Sequence, residues 1–186
     1  MASVYYCAQS LDGYIAKTDD TIDWLTGYEG EYAGATELPL GDNYEGFMAG
    51  IGALVMGSAT YEFVLGLVDA GEEWMYPGRR TWVLTSRDMA VPEGADVRLV
   101  AGDVAALHGE MATSAGARDL WVVGGGDVAS QFADAGLLDR VEVTIVPVVL
   151  GAGKPLFDRP LAPPLRLAST RPFANGMVEL RYDVAP

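Results

Sequence analysis

The stretch that decides the fold is residues 120–157, LWVVGGGDVASQFADAGLLDRVEVTIVPVVLGAGKPLF. It opens with a short apolar run, residues 120–123, which is typical of a buried strand. Three glycines follow, and residues 127–135 are predicted to form a helix that ends before Gly136, a residue suited to a left-handed cap. The β-branched run at residues 141–150 predicts a second strand. Strand, glycines, helix and strand together make one βαβ unit.

The three glycines lie at the corner between the first strand and the helix. Residues without Cβ let a ligand come close to the main chain, and the helix N-terminus offers free N–H groups and a positive dipole end. The corner is interpreted as a site for an anionic group such as a pyrophosphate, and the alternative is a tight turn without a ligand. Gly124-x-Gly126-x-x-Ala129 also fits the dinucleotide fingerprint of doubly wound sheets. No acidic residue ends the next strand and only about forty residues remain, so a nucleotide-binding turn in a different α/β fold is favoured.

Composition predicts one domain over residues 1–186, large enough for a core of its own. Half of the residues are apolar, 20% are charged and the formal net charge is −14. This charge argues against nucleic acid and against anionic membrane surfaces as partners. Cys7 and His108 are the only residues of their types, which excludes an internal disulfide, a zinc cluster and a histidine-based triad. The absence of a basic leader and of a long apolar run predicts a cytoplasmic protein.

Apolar runs and turn residues predict the other elements. Residues 27–41, rich in Gly, Glu and Tyr, are predicted to be a surface loop, and residues 42–49 a short helix. Ser58 is expected to cap a helix that follows Gly57 at a second strand–glycine–helix corner. Further strands are predicted at residues 3–8, 14–16, 53–56, 81–85 and 97–100.

Two features near the ends of elements carry sharper predictions. Asp103 is expected to cap a helix whose buried stripe contains Val104, Leu107 and Met111, with His108 on its surface. Asn175-Gly176 separates the last two strand-like runs, which is a strong signal for a β-hairpin. Those runs are residues 165–173 and 178–184.

Short motifs spread along the chain, in order, resemble the dihydrofolate reductase superfamily. The branch that they resemble most is typified by the reductase domain of riboflavin biosynthesis, and the match spans nearly the whole chain. The motifs are Ser10-Leu11-Asp12-Gly13-x-Ile15-Ala16, Val55-Met56-Gly57-x-x-Thr60-Tyr61-Glu62, Leu84-Thr85-Ser86-Arg87, Val122-Val123-Gly124-Gly125-Gly126 and the tail Pro147-x-x-Leu150-Gly151-x-Gly153-x-Pro155-Leu156-Phe157.

The resemblance implies an α/β fold of three layers: a mixed, mostly parallel central sheet, helices on both faces and a C-terminal β-hairpin. It implies NADPH as the cofactor, with the backbones of Ala8 and Ile15 lining the nicotinamide. Dihydrofolate reductases carry an arginine where this chain has Ser58, so one phosphate contact departs from the pattern. The other implied cofactor residues lie at the two glycine corners and at the end of the middle strand: Gly57, Thr60, Thr85, Ser86, Arg87, Gly124, Gly125, Gly126, Asp127, Val128 and Ala129.

Positive charge is scarce in this acidic chain, and an anionic dinucleotide needs some of it locally. Arg79, Arg80 and Arg87 are three of only 12 basic residues and lie within nine positions. They are candidates for phosphate contacts, and a solvated strand end is the alternative for Arg79 and Arg80.

The reacting half of the site needs a proton source and a pocket that excludes water. Asp42 and Glu45 lie where dihydrofolate reductases carry their acid, but the spacing to the first corner differs. The catalytic candidates are Asp12, Asp23 and Thr144, the last matching a threonine that fixes substrate polar atoms in dihydrofolate reductases. Asp12 can alternatively hold an Asx-turn. The substrate-binding candidates are Trp24, for which core packing is the alternative, with Tyr44 and Phe47.

The predicted activity is reduction by NADPH of a small heterocycle, pterin- or pyrimidine-like and uncharged or cationic. Residues 27–41 contain no Arg or Lys, whereas the riboflavin-type reductases have basic residues there, so a phosphorylated ribityl substrate is not expected. A genuine dihydrofolate reductase and a nucleotide-binding protein without catalysis are the alternatives. A homodimer is also predicted, because residues 143–150 are apolar on both faces and Pro147 suits an edge or a bulge. In the resembling branch this strand and residues 150–153 lie near the subunit contact.

Overall fold

The computed structural model describes residues 1–28, 40–162 and 164–184, with the backbone alone at residues 40–42. Most of the predicted loop at residues 27–41 therefore lies outside the described residues, as does the side chain of Asp42. Among the described residues, no helix combines the length and the apolar character needed to cross a membrane.

The described chain contains ten strands and five helices, and the predicted order of elements is confirmed. The strands are β1 Ser3–Ser10, β2 Tyr14–Ala16, β3 Ile51–Gly57, β4 Arg80–Leu84, β5 Val97–Val100, β6 Asp119–Gly124, β7 Arg140–Val146, β8 Lys154–Pro155, β9 Arg166–Pro172 and β10 Val178–Asp183. The helices are α1 Asp23–Thr26, α2 Leu40–Ala49, α3 Ser58–Asp69, α4 Val104–Ala115 and α5 Gly126–Asp134.

Eight strands form one sheet in the order β5-β4-β3-β6-β1-β7-β10-β9. The six strands from β5 to β7 run parallel, and β10 is antiparallel to both β7 and β9. The mixed, mostly parallel sheet and its C-terminal hairpin are thereby confirmed. A separate two-stranded sheet, β2 with β8, was not predicted, because two residues of β8 are too short to leave a periodic signal.

Helices cover both faces of the sheet, which gives the expected three layers. One face packs α4 and α5 against buried side chains that include Tyr5, Val122 and Phe132. The other packs α2 and α3 against Tyr6 and Trp121. Successive residues of β1 point to opposite faces, so this central strand contributes to both cores.

The predictions for α4, α5 and the hairpin are confirmed at the residue level. The Asp103 carboxylate accepts a hydrogen bond from the Ala105 N–H at 2.8 Å, which caps α4. Gly136 follows α5 with φ +65°, and Gly176 turns the hairpin with φ +86°. In each case a left-handed residue is needed, and glycine adopts that conformation without steric cost.

Three local predictions are wrong. Ser58 is the first helical residue of α3, and the cap position belongs to Gly57, which makes no side-chain cap bond. His108 is half-buried and shares a hydrogen bond of 3.0 Å with the buried Ser3 hydroxyl, since its face of α4 packs toward the start of β1. Strand β7 ends at Val146 and lies between β1 and β10, so Pro147 follows an interior strand instead of forming an edge.

Candidate active site

The two glycine corners lie side by side at one edge of the sheet. Strands β3 and β6 are parallel neighbours, with Met56 paired to Gly124, so their carboxyl ends meet there. The helices α3 and α5 begin directly after these strands, with Gly57 and Gly125 as their cap residues. Neither cap makes a side-chain hydrogen bond in the described chain. Free N–H groups of two helices therefore converge on one place, as anion binding requires.

Close contacts join the two corners. A Cβ on Gly57 would lie 3.2 Å from Val128 Cγ2, and one on Gly124, whose φ is +159°, would lie 3.3 Å from Thr60 Oγ1. A Cβ on Gly126 would come within 2.7 Å of the Pro155 carbonyl oxygen. These three glycines are therefore explained by packing between segments of the chain itself.

Gly125 is different, because a Cβ there would meet no described atom within 4 Å. Its φ of −86° is open to any residue. Neither packing within the described chain nor backbone conformation demands glycine at this position. A bare backbone at the cap of α5 instead fits the close passage of a phosphate group.

The predicted residues of the first turn of α5 differ in what they can offer a ligand. Val128 and Ala129 are buried in the core, and the Ala129 N–H already donates to the Gly125 carbonyl. The Asp127 carboxylate accepts hydrogen bonds from Gln131 and from Arg159 at 3.0 Å. Its negative charge is thus countered beside the corner, where it would otherwise repel an anion.

The end of β4 reaches the same edge of the sheet. The Thr85 hydroxyl accepts a hydrogen bond from the Arg87 N–H, and so shapes the turn that contains Ser86. The Arg87 guanidinium pairs with Glu62 of α3 at 2.7 Å, and both side chains are about half exposed. Arg87 thus lies beside the first corner, as predicted, with its charge shared with a carboxylate.

The other two candidate arginines have structural partners. Arg79 donates to the backbone carbonyls of Met48 and Ile51, which ties the end of α2 to the start of β3. Arg80 pairs with Asp96 at the opposite end of β4 from Thr85. The alternative of a strand-end role therefore holds for both residues.

Asp12 has the geometry of a loop anchor. Its carboxylate accepts hydrogen bonds from the Ser10 hydroxyl at 2.6 Å and from the Leu150 and Gly151 N–H groups. These bonds, that of Ser10 first, hold the pKa of Asp12 below its usual range. An ionised carboxylate with both oxygens engaged is suited to joining two loops and unsuited to donating a proton.

Asp23 lies on an open cleft between the loop before α1 and helix α3. Its side chain is 68% exposed and pairs with Lys17 at 2.8 Å, a contact that lowers its pKa. The cleft measures about 490 Å³, and Ala59 of the first corner forms part of its wall. Its lining combines carboxylates with apolar side chains and contains no basic residue: Asp19, Asp20, Thr21, Ile22, Asp23, Thr26, Ala59, Glu62, Phe63 and Leu67.

The aromatic candidates for substrate binding pack against the sheet. Phe47 stacks on Tyr6 with ring centroids 4.2 Å apart, and Tyr44 meets the edge of Trp121 at 6.0 Å. These contacts hold α2 on the sheet. Trp24 is only 9% exposed, and its indole N–H has no partner among the described residues. Core packing therefore describes part of its role, but not its buried N–H.

The nicotinamide candidates come from β1 and β2. Ala8 pairs with Thr144 across β1 and β7 and packs against the cluster around Trp24. Ile15 is half-buried in β2. Of the two acids considered on the helix, Glu45 is exposed. The described residues also contain no cluster of histidine, cysteine or acidic side chains that could hold a metal ion.

Comparisons with known proteins agree with this geometry. Residues 68–179, more than half of the chain, match the model of the family described as the RibD C-terminal domain. The chain belongs to the RibD C-terminal domain family. It is also 32% identical to the uncharacterized protein YwjB of Bacillus subtilis (strain 168), over 97% of this chain and 96% of that protein.

Solved structures confirm the fold of this RibD C-terminal domain relative. A candidate riboflavin biosynthesis protein from Shewanella sp. PV-4 is 27% identical, with full coverage of both chains and a TM-score of 0.78. Dihydrofolate reductase from Enterococcus faecalis, solved with NADP(H), is 19% identical over 98% of this chain and 95% of its own, with a TM-score of 0.59. The dihydrofolate-reductase-like fold, in the branch of the riboflavin-biosynthesis reductases, is thereby confirmed.

Sequence reasoning missed two polar residues at the site of this family member, Asn43 and Glu179. Glu179 alternates with apolar residues along β10, a pattern that indicates a solvent-facing side chain. In the structure α2 covers that face, and the Glu179 carboxylate accepts a hydrogen bond from Asn43 at 2.6 Å. Only the packing of a distant helix, which leaves no periodic signal, makes the position internal.

Proposed function

We propose that this protein is an NADPH-dependent reductase of a small planar heterocycle that is uncharged or cationic. The observation that carries the proposal is the pair of helix N-termini, α3 and α5, without side-chain caps at one edge of the sheet, with Gly125 open between them. Two such helix ends and a bare backbone suit a pyrophosphate. The NADP(H) bound by the reductase of like fold from Enterococcus faecalis supports the choice of cofactor.

The cleft beside the first corner supports the proposed class of substrate. Four carboxylates line it together with apolar side chains, and no basic residue does. An anionic substrate would be repelled there, whereas a neutral or protonated ring would be tolerated or attracted. Residues 27–41, acidic and without Arg or Lys, point the same way.

When bound, the cofactor supplies a hydride to the substrate, and the chain has to provide orientation and a proton. In this proposal the backbones of Ala8 and Ile15 orient the nicotinamide. Thr144, which pairs with Ala8, fixes a polar atom of the substrate. Asp23, exposed on the cleft and ionised, holds a water molecule that delivers the proton.

Cofactor binding is tested at Gly125. A Val side chain at this position meets no described atom of the protein but occupies the space assigned to the pyrophosphate. Gly125→Val is expected to keep the fold and to weaken NADPH at least tenfold, about 1.4 kcal/mol. The measurement is a fluorescence titration of NADPH, with circular dichroism to establish folding.

The matched control is Gly66→Val, an exposed glycine of α3 that also has no described atom near its Cβ position. It should leave NADPH affinity unchanged. Equal affinity in folded Gly125→Val and wild type would contradict the proposed cofactor site.

Turnover is tested separately by following NADPH oxidation with added pterins and pyrimidines. Oxidation that depends on the added compound is expected. NADPH binding without any such turnover would indicate a nucleotide-binding protein. Inhibition by antifolates together with reduction of dihydrofolate would indicate a genuine dihydrofolate reductase.

A further inference from the structure

Four polar side chains from four different elements meet beneath α2. They are Tyr6 of β1, Asn43 of α2, Thr144 of β7 and Glu179 of β10. Thr144 and Glu179 are directly opposite each other across β7 and β10, and Tyr6 lies on the same face of the sheet. Three of the four side chains are buried, so their polar atoms depend on partners within the protein or on a ligand.

Glu179 is only 3% exposed, and its two oxygens are in different situations. Oε2 accepts a hydrogen bond from Asn43 Nδ2 at 2.6 Å, and the Asn43 carbonyl in turn accepts one from Arg171. Oε1 lies 3.9 Å from Arg181 Nη2, which is beyond hydrogen-bond distance. Among the described residues, Oε1 therefore receives charge compensation but no hydrogen bond.

Glu142 offers an internal comparison. It is equally buried, on the same face and one residue pair away, yet both of its oxygens are satisfied. Arg140 binds Oε1 at 3.0 Å and Arg181 binds Oε2 at 2.9 Å. Glu142 thus has the complete bonding of a structural carboxylate, and Glu179 does not.

Thr144 presents a second buried group with bonding capacity left over. It is 1% exposed, and its hydroxyl makes no bond of hydrogen-bond geometry to a described residue. It is nevertheless close to the Tyr6 hydroxyl. Burial and then the charge of Glu179 raise the pKa of Tyr6 to about 12, while Asn43 and Thr144 lower it. The four groups therefore share one small volume.

This volume adjoins the position assigned to the nicotinamide. Ala8 is two residues beyond Tyr6 on the same face of β1 and pairs with Thr144. Trp24, whose buried N–H also lacks a described partner, packs in the cluster that contacts Ala8. Buried polar atoms without partners thus surround the place where a substrate ring would meet the cofactor.

We propose that Glu179 and Thr144 recognise the polar edge of the substrate, and that they select a ring that presents adjacent N–H donors, such as an amidine-like edge. A carboxylate oxygen accepts such hydrogen bonds strongly, and the threonine hydroxyl can accept or donate beside it. Asn43 is a positioning residue that fixes the carboxylate. Because α2 covers the cluster, α2 shifts outward when the ring binds. The inference rests on the proposed function, since it assigns the substrate edge of that same site.

The test uses two probes of equal shape, 2-aminobenzimidazole, which has the amidine-like edge, and 2-methylbenzimidazole, which lacks the exocyclic donors. Calorimetric titrations of the wild-type protein with NADPH present should show at least tenfold tighter binding of the amino compound, about 1.4 kcal/mol. Glu179→Gln should abolish this preference without changing NADPH affinity. Glu142→Gln, the matched control, should keep the preference even if its melting temperature falls.

The absence of a preference in the wild type, or its persistence in folded Glu179→Gln, would overturn the inference. If Glu179→Gln does not fold, Thr144→Val decides, because it removes only a hydroxyl: a lost preference supports the inference and a retained one overturns it. Failure of the proposed function has a different sign. The wild type would then not bind NADPH, while the preference between the two probes could still be measured without it.

Discussion

At the scale of single residues, the carboxylates near the site separate by the partners that they have. Ser10 and two backbone N–H groups hold Asp12, and Lys17 holds Asp23, so the pKa of each is lowered. A carboxyl group that donates a proton near neutral pH needs a raised pKa. Asp12 and Asp23 are therefore ionised, and of the two only Asp23 lies on the cleft, where it can act through water.

Asp23→Asn is accordingly predicted to slow turnover while NADPH affinity stays within about twofold, roughly 0.4 kcal/mol. Steady-state rates with an identified substrate and NADPH titrations check both parts. Asp96→Asn is the control, because Asp96 is another exposed carboxylate paired with a basic residue, far from the cleft. An unchanged rate in Asp23→Asn would remove it from the mechanism, and Asp42→Asn is expected to do little.

Asp12→Asn is predicted to lower stability in a pH-dependent way. The folded state lowers the pKa of Asp12 below the model value of 3.8. Its stabilisation is therefore present above that value and is lost as pH falls through the folded pKa. Melting temperatures of variant and wild type should differ at pH 6 and converge on acidification. A constant difference down to pH 2 would contradict the anchoring role.

Arg87 is predicted to discriminate between NADPH and NADH, since a guanidinium can bind a 2′-phosphate bidentately. Arg87→Ala should weaken NADPH much more than NADH. Because Arg87 now pairs with Glu62, Glu62→Gln should have the opposite effect and strengthen NADPH. Arg80→Ala serves as the control. Equal weakening of both nucleotides in Arg87→Ala would show that another group contacts the phosphate.

At the scale of elements, the helices differ in how their N-termini are satisfied. Asp103 caps α4, which begins away from the glycine corners, whereas α3 and α5 have no side-chain cap in the described chain. Asp103→Ala should therefore cost about 1 kcal/mol of stability, the usual value for a lost cap. The melting temperature should fall by roughly 2–4 °C. NADPH affinity should not change, and a change would mean that α4 contributes to the site.

The elements that the sequence predicted are those with strong local signals. Buried apolar runs located β1, β3, β4 and β6, and Asn175-Gly176 located the hairpin. The end of β7 was misplaced because Val148 and Leu150 continue the apolar pattern after the ladder stops at Val146. Their apolar character comes from packing near Trp24, not from strand pairing. Local pattern cannot distinguish these two causes.

The candidate site was predictable to the extent that backbone geometry carries it. Glycines, strand ends and helix starts announce a phosphate corner in sequence. Glu179 and Asn43 meet only because α2 folds over β10, across 136 positions of sequence. Such a contact follows from tertiary packing and leaves no mark in composition or spacing.

At the scale of the whole molecule, topology brings the site together. The parallel strands β1, β3, β4 and β6 are neighbours in one sheet, so all their carboxyl ends lie at the same edge. That edge carries both glycine corners, the Arg87 turn and the loop held by Asp12. The antiparallel pair of β7 with β10 adds the Glu179 side of the cluster.

A homodimer remains our prediction for the assembly, with a narrower surface than the apolar run suggested. Val143 and Val146 are buried within one chain and cannot contact a partner. The exposed apolar side chains of this region are Val149, 68% exposed, and Leu11, 62% exposed. The Leu11 N–H donates to the Val148 carbonyl, so the two side chains belong to one surface. That surface lies beside the loop that Asp12 fixes.

Light scattering over a range of concentrations should show a dimer, because burying two such side chains at a two-fold axis removes four from water. Val149→Asp should shift the protein toward the monomer by adding like charges across the contact. The control is Val91→Asp, which changes an exposed valine outside this region in the same way. A wild-type mass equal to one chain at every concentration would refute the dimer. Equal effects of the two substitutions would place its contact elsewhere on the surface.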